Sequence, residues 1–364
     1  MHMKKFPEGF YFGAATSSHQ VEGGCVNDWS VWEKENAERL AAESVKFSSL
    51  PSWNNIKQNA LRADNYVSGD AVDHYNRYEE DFDIAQRIGL NAYRFSIEWS
   101  RIEPEPGRWN EDAIYHYLRM IKALRRRGIE PFLTIWHWTL PLWLSRKGGI
   151  LCRDFPCLFA RYSGKLSERF AGEVRYFITI NEPEIYSLNC YMIGKWPPQK
   201  KGIVSYIRAM RSLVRAHKLA SDAIKQKIPE ALTGPACNMI YFESGGGLNS
   251  VFTYCAERLW NRGFVNRTFK SNDFIAINYY FHNRIKYGLN RNANEKVSDM
   301  GWELCPGGIE NVVMNMKGYG LPVYVTESGL ADADDKYRPW YIEETLRALY
   351  KTIEKGVDVR GYFH

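Results

Sequence analysis

Short apolar runs alternate with longer segments of helical periodicity from one end of the chain to the other. That alternation predicts repeated strand–helix units around a parallel sheet. The apolar runs predict strands over residues 10–15, 92–97, 131–135, 176–180, 232–238, 274–277, 322–325 and 361–364, eight in all. The clearest helix follows the second run, where Ala113, Tyr117, Met120, Ile121 and Leu124 recur at helical spacing behind Asn110 as N-cap. Glu111 and Asp112 open that helix and Arg125, Arg126 and Arg127 close it. Acid first and base last complement the helix dipole, so the arginine triplet reads as a helix end and not as an anion site.

Eight such units close into a (β/α)8 TIM barrel, a single domain over residues 1–364, with its active site at the C-terminal ends of the strands. The chain stops inside the eighth strand, which predicts a barrel incomplete at its C-terminus, with a short last strand and no last helix. A poorly paired last strand and uncovered apolar surface on the first and seventh helices would follow, and with them self-association through an exposed barrel edge. Two stretches, 36–69, polar with helical pieces, and 244–250 with its run of three glycines, read as loops or insertions within that barrel.

Asn181-Glu182-Pro183 follows the fourth strand and Thr326-Glu327-Ser328-Gly329 the seventh, so a carboxylate ends each. Taken singly, each would be an ordinary loop glutamate. Across the mouth of a barrel they have the arrangement that retaining hydrolysis of a glycosidic bond uses, two carboxyl groups roughly 5 to 5.5 Å apart. One must stay ionised and the other must hold a proton, which cationic neighbours and burial respectively bring about. Gln20, Arg94, His137 beside Trp136 and Trp138, and Asn278 with Tyr280 stand at other strand ends. Amide, imidazole and indole groups suit a sugar, whose hydroxyls need hydrogen bonds while its C–H face lies on an aromatic plane.

Composition narrows the picture further. Hydrophobic residues at 45% and charged residues at 25% are those of a globular chain with a real core. The net charge of +6 is spread thinly, and no basic tail suggests nucleic acid. Aromatics reach 15% of the chain. The seven scattered cysteines, with no Cys-x-x-Cys pair, read as reduced thiols of a cytoplasmic protein. No apolar run approaches the length of a membrane span, and no leader is visible, so no membrane partner is expected.

The chain resembles glycoside hydrolase family 1, the β-glucosidase and β-galactosidase family. The resemblance rests on Phe6 to Gly23, which fit Phe-Pro-x-x-Phe-x-x-Gly-x-Ala-Thr-x-x-x-Gln-x-Glu-Gly, on Asp73-His74-Tyr75, on Tyr93-Arg94-Phe95-Ser96-Ile97, on Trp99-Ser100-Arg101-Ile102 and on the two glutamate motifs. It implies Glu182 as general acid/base and Glu327 as nucleophile. It also implies that Asn181 binds the sugar 2-hydroxyl, that Gln20, His137 and Trp138 hold the sugar, and that Arg94 and Tyr280, with Asn278 in support, keep Glu327 ionised. Neither metal nor organic cofactor is implied, and the partners would be small β-glycosides or oligosaccharides.

Three departures from the family pattern stand out. Ser328 replaces the usual Asn after the nucleophile, the stretch 240–273 is short, and the family's Trp-Ser and Asn-Phe-Glu-Trp segments, which grip the sugar hydroxyls, do not occur. The expectation is a retaining β-glucosidase-type hydrolase with weakened activity. The alternative is a catalytically degenerate barrel acting as a carbohydrate-binding or interaction module completed by self-association.

Overall fold

The computed structural model describes residues 5–287 and 289–364. Eight parallel strands, β1 (Tyr11–Ala15), β2 (Ala92–Ser96), β3 (Glu130–Trp136), β4 (Tyr176–Asn181), β5 (Leu232–Asn238), β6 (Ile275–Tyr279), β7 (Val323–Ser328) and β8 (Val359–Phe363), close into one ring in chain order. The closure corrects the expectation of a poorly paired last strand and an exposed barrel edge. β8 aligns Gly361, Tyr362 and Phe363 with Tyr11, Phe12 and Gly13, and on its other side Val359, Gly361 and Tyr362 with Val323, Tyr324 and Val325. Each strand therefore has two neighbours and the ring has no edge. Gly13 makes the seam possible: a Cβ there would run into the Phe363 ring and come within 2.9 Å of the Ala92 carbonyl oxygen.

Side chains alternate between lumen and outer face with the strand period of two. Ala92, Phe132, Tyr176, Ile178, Ala236, Phe274, Ala276, Tyr324 and Phe363 form one apolar cluster inside the ring. A much larger cluster, including Phe95, Leu133, Phe177, Ile277 and Val325, lies between the ring and its helices. Two residues further along the same lumen-facing rows stand Arg94, Thr134, Asn238, Asn278 and Thr326, all buried. The lumen is thus floored with aromatics and turns polar toward its C-terminal mouth.

The helix predicted after β2 runs Glu111–Arg126, and the Asn110 side chain accepts from the Ala113 amide at 3.1 Å. Its arginine triplet is engaged in ion pairs. Arg125 pairs with Glu130 at 2.5 Å, Arg126 with Glu79 at 2.9 Å and Arg127 with Asp83 at 2.6 Å, which ties this helix to the neighbouring His74–Arg87. Of the two helices expected to expose apolar surface, His74–Arg87 exposes Ile84, with Ile88 just beyond it, whereas Arg338–Glu354 shows no large exposed apolar side chain among the described residues.

The helical pieces expected within 36–69 are present, and the glycine run of 244–250 links two regular elements. Residues 36–69 contain the second half of helix Asp28–Glu43 and the helix Trp53–Ala60. Past the mouth, Tyr241–Ser244, His282–Lys286 and Leu289–Asn290 form a small sheet, and Asn249–Trp260 is a helix immediately behind the glycine run. The alternation that marks a long barrel strand is lost in pieces of two to five residues, which explains why they escape the sequence pattern. None of the helices among the described residues is long and apolar enough to cross a membrane.

Candidate active site

Two strand irregularities build the site. Strict alternation from Tyr176 and Ile178 would put Ile180 inside and Asn181 outside, but the β4–β5 register shifts between Ile178 and Asn181. Ile180 packs into the outer cluster, and Asn181 enters the lumen. A second shift, between Val325 and Glu327 where β7 pairs with β6, lets Glu327 follow Thr326 into the same space. Such extra residues commonly re-aim a side chain at the rim of a barrel. Glu182 then adopts a left-handed backbone, φ 42°, which the helix Pro183–Ser187 holds from its other side. In the ring, two strands separate β4 from β7 by the short way and four by the long way, so the two glutamates stand less than fully across the mouth.

The carboxylates are joined by one hydrogen-bonded chain. Arg94, 1% exposed, donates through Nη1 to Glu327 and through Nη2 to Asn181 Oδ1 at 2.6 Å. Asn278 Nδ2 donates to that same oxygen at 3.0 Å and to Glu182 Oε1 at 3.0 Å. Asn238 Nδ2 adds a bond to Glu182 at 3.1 Å, and Tyr280 donates its hydroxyl to Glu327 Oε2 at 2.5 Å. Thr134 and the Thr326 carbonyl accept from two further guanidinium N–H groups at 3.0 and 3.1 Å. Because guanidinium only donates, the side-chain oxygen of Asn181 must face Arg94, and its NH2 therefore points at His137 Nε2, 3.0 Å away.

This framework drives the two carboxyls apart. Burial raises Glu182 to about 7, and the negative charge of Glu327 adds to the effect. Burial also opposes ionisation of Glu327, but the Arg94 charge and the Tyr280 hydroxyl outweigh it and hold that carboxyl below its ordinary value. His137 is driven down to about 4 by burial, so it is neutral; with Nε2 accepting from Asn181, its proton sits on Nδ1, which has no partner among the described residues. On the acid side of about pH 7 the site therefore offers one carboxylate and one carboxylic acid.

Trp138, with φ 78°, donates its indole N–H to the Asn181 carbonyl at 2.9 Å and lies against Trp29 and Trp196, ring centroids 6.2 and 5.1 Å away. Of the residues singled out in the sequence, Arg94, His137, Trp138, Asn181, Glu182, Asn278, Tyr280 and Glu327 thus share one connected cluster. Gln20 stands apart: it is exposed in the turn of helix after β1 and accepts from Ser17 Oγ at 2.6 Å, with no bond to the cluster among the described residues. Ser328 faces away from the lumen, its hydroxyl 3.3 Å from that of Tyr341. Sequence reasoning missed Asn238, Thr134, Trp29 and Trp196. Asn238 was within reach, since it ends the fifth predicted strand in phase with Ala236; the two tryptophans come from segments whose path the sequence does not reveal.

Among the described residues one group could be considered for a metal ion: His19, Cys25 and Glu98, whose ligand atoms lie within 4.8 Å of one another. Both imidazole nitrogens of His19 already contact Asn27 and Glu33, Glu98 accepts from Ser100 and Thr139, and the Arg101 guanidinium lies 3.7 Å from the Cys25 sulfur. That donor set, fully engaged and beside a fixed cation, does not fit a metal.

The model of "Glycosyl hydrolase family 1" matches residues 2–244 and 264–364 of this chain. The chain belongs to glycosyl hydrolase family 1. It is a glycoside hydrolase by that membership. It is 33% identical to β-glucosidase A of Thermotoga maritima, over 100% of this chain and 89% of that protein, and 28% identical to a β-galactosidase of Sulfolobus acidocaldarius, over 100% and 86%. Among solved structures, the β-glycosidase of Pyrococcus horikoshii superposes with a TM-score of 0.85 at 32% identity, covering 99% of this chain and 84% of that one. The Thermotoga maritima β-glucosidase in complex with castanospermine gives 0.85 at 29% identity, covering 99% and 89%.

Proposed function

We propose that this family 1 chain is a retaining β-glycosidase of β-glucosidase type, acting on terminal β-linked sugars of small glycosides or oligosaccharides with residues 1–364 as one catalytic unit. The observation that carries the reading is the opposite tuning of Glu182 and Glu327 by a single network through Arg94, Asn181 and Asn278. Glu327 attacks the anomeric carbon as the bond to the aglycone oxygen breaks, and that oxygen takes the proton of Glu182. Glu182, now a carboxylate, removes a proton from water as the water attacks the same carbon and releases Glu327. Asn181 donates to the 2-hydroxyl, while neutral His137, through its free Nδ1–H, and Trp138 hold the ring. The sugar-like inhibitors of neighbouring structures, castanospermine, glucoimidazole and deoxynojirimycin, support a sugar ligand here. The seven cysteines, all unpaired, support a reducing, cytoplasmic setting.

Hydrolysis of aryl β-glucosides and β-galactosides by the wild type and by Glu327→Ala tests the assignment. The variant should lose at least about three orders of magnitude in kcat, with azide restoring turnover and yielding the inverted glycosyl azide. Equal rates in both proteins would leave a binding or interaction module as the better reading.

A further inference from the structure

Residues 185–221 contain no aspartate or glutamate and seven cations, Lys195, Lys200, Lys201, Arg208, Arg211, Arg215 and Lys218, which together exceed the net charge of +6 of the whole chain. All seven are exposed, and none takes part in an ion pair among the described residues. Two cations that flank the segment are paired, Lys147 with Asp154 and Lys227, at the far end of the same helix, with Glu168.

The helix Ile203–Lys227 buries Ala209, Met210, Leu213, Ala216, His217 and Ala220 against the barrel. Its outward face begins with Ile203, Val204 and Ile207, which are 53%, 68% and 40% exposed, and continues at helical spacing into Arg208, Arg211 and Arg215. Ile193, 51% exposed, stands on the loop before it. The surface is an aliphatic tip ringed by unpaired lysines and backed by an arginine ridge. A soluble polyanion would satisfy the cations but gain nothing from four exposed aliphatic side chains. A bilayer carrying anionic lipid satisfies both, since aliphatic groups bury at the headgroup boundary while Lys and Arg meet the surface charge.

We propose that this face docks the protein onto membranes rich in anionic lipid. Trp196, inside the same segment, packs against Trp138 and Trp29, so docking sets the mouth of the barrel beside the bilayer. This is surface attachment and needs no membrane span. The proposal stands independently of the catalytic assignment.

Co-sedimentation with phosphatidylcholine vesicles, with and without about 30% phosphatidylserine, is the test. The protein should sediment with the phosphatidylserine vesicles alone and be released near 0.5 M salt, where screening shortens the reach of surface charge to about 4 Å. Lys200→Glu with Lys201→Glu should weaken binding at least about tenfold, and Ile203→Ser with Val204→Ser and Ile207→Ser should weaken it by a similar factor. All five side chains are exposed, so hydrolysis of a soluble aryl glycoside, followed in parallel, should match wild type. No binding to phosphatidylserine vesicles, or binding that the serine variant leaves intact, would overturn the proposal. Equal affinity of wild type and serine variant for heparin, with vesicles ignored, would assign the face to a soluble polyanion instead.

Discussion

Removing one hydroxyl should move the pH dependence of the reaction in a defined direction. Tyr280 donates to Glu327 Oε2 at 2.5 Å while Arg94 occupies the other oxygen, so Tyr280→Phe keeps the ring and the guanidinium and deletes a single donor to the ionised form. A hydrogen bond to a charged group is worth about 1.5–3 kcal/mol, and each pH unit corresponds to about 1.4 kcal/mol. The bond favours the carboxylate, so its loss raises the proton affinity of Glu327. The acid limb of kcat/KM for 4-nitrophenyl β-glucoside should therefore move upward by about one to two pH units. The alkaline limb, set by Glu182 at about 7, should move slightly down or stay, because a less ionised Glu327 repels the Glu182 charge less. An acid limb unmoved in Tyr280→Phe, or displaced toward lower pH, would refute the claim that this hydroxyl holds Glu327 ionised.

Further outcomes follow from the same structure. Asn238→Ala removes a 3.1 Å donor to ionised Glu182, so the alkaline limb should move to higher pH while the acid limb stays, as read from the same profiles. Glu184 is 2% exposed, no cation pairs with it among the described residues, and burial raises it from 4.5 to about 8. The folded protein therefore binds a proton there that the unfolded chain releases between those values, and stability falls as pH rises through that window. Glu184→Gln lacks this loss, so its advantage in unfolding free energy, measured by urea titration, should grow from pH 5 to pH 8, reaching several kcal/mol in order of magnitude at about 1.4 kcal/mol per unit; an advantage independent of pH would contradict the assignment. Gly13→Ala should destabilise by about 1–3 kcal/mol in urea unfolding, because the methyl meets the Phe363 ring at the β1–β8 seam.

The barrel was legible because seven of its strands are apolar runs of five to seven residues separated by helical periodicity, a signal that needs no tertiary information. The eighth was legible as a run but not as a closed seam. Its pairing depends on Gly13 and Gly361 letting β1, β7 and β8 approach, and on the aromatic floor where the Phe363 ring lies 4.8 Å from that of Phe132. The site was legible at Glu182 and Glu327 because each ends a strand. Their approach depends on two register shifts that leave no mark in the hydrophobic pattern: nothing about Ile180-Asn181 or Thr326-Glu327 announces that alternation breaks there. Gln20 differs from the rest of the set: its motif is intact, and its side chain stands exposed and accepts from Ser17 Oγ instead of joining the network.

The most direct test is the configuration of the first-formed sugar. Proton NMR of the anomeric signals during early hydrolysis of an aryl β-glucoside distinguishes the two stereochemical courses before mutarotation blurs them. Two displacements at one carbon, by Glu327 and then by water activated by Glu182, predict the β-anomer as initial product. Initial appearance of the α-anomer would contradict attack by Glu327 and leave the pair acting as acid and base around a single displacement by water.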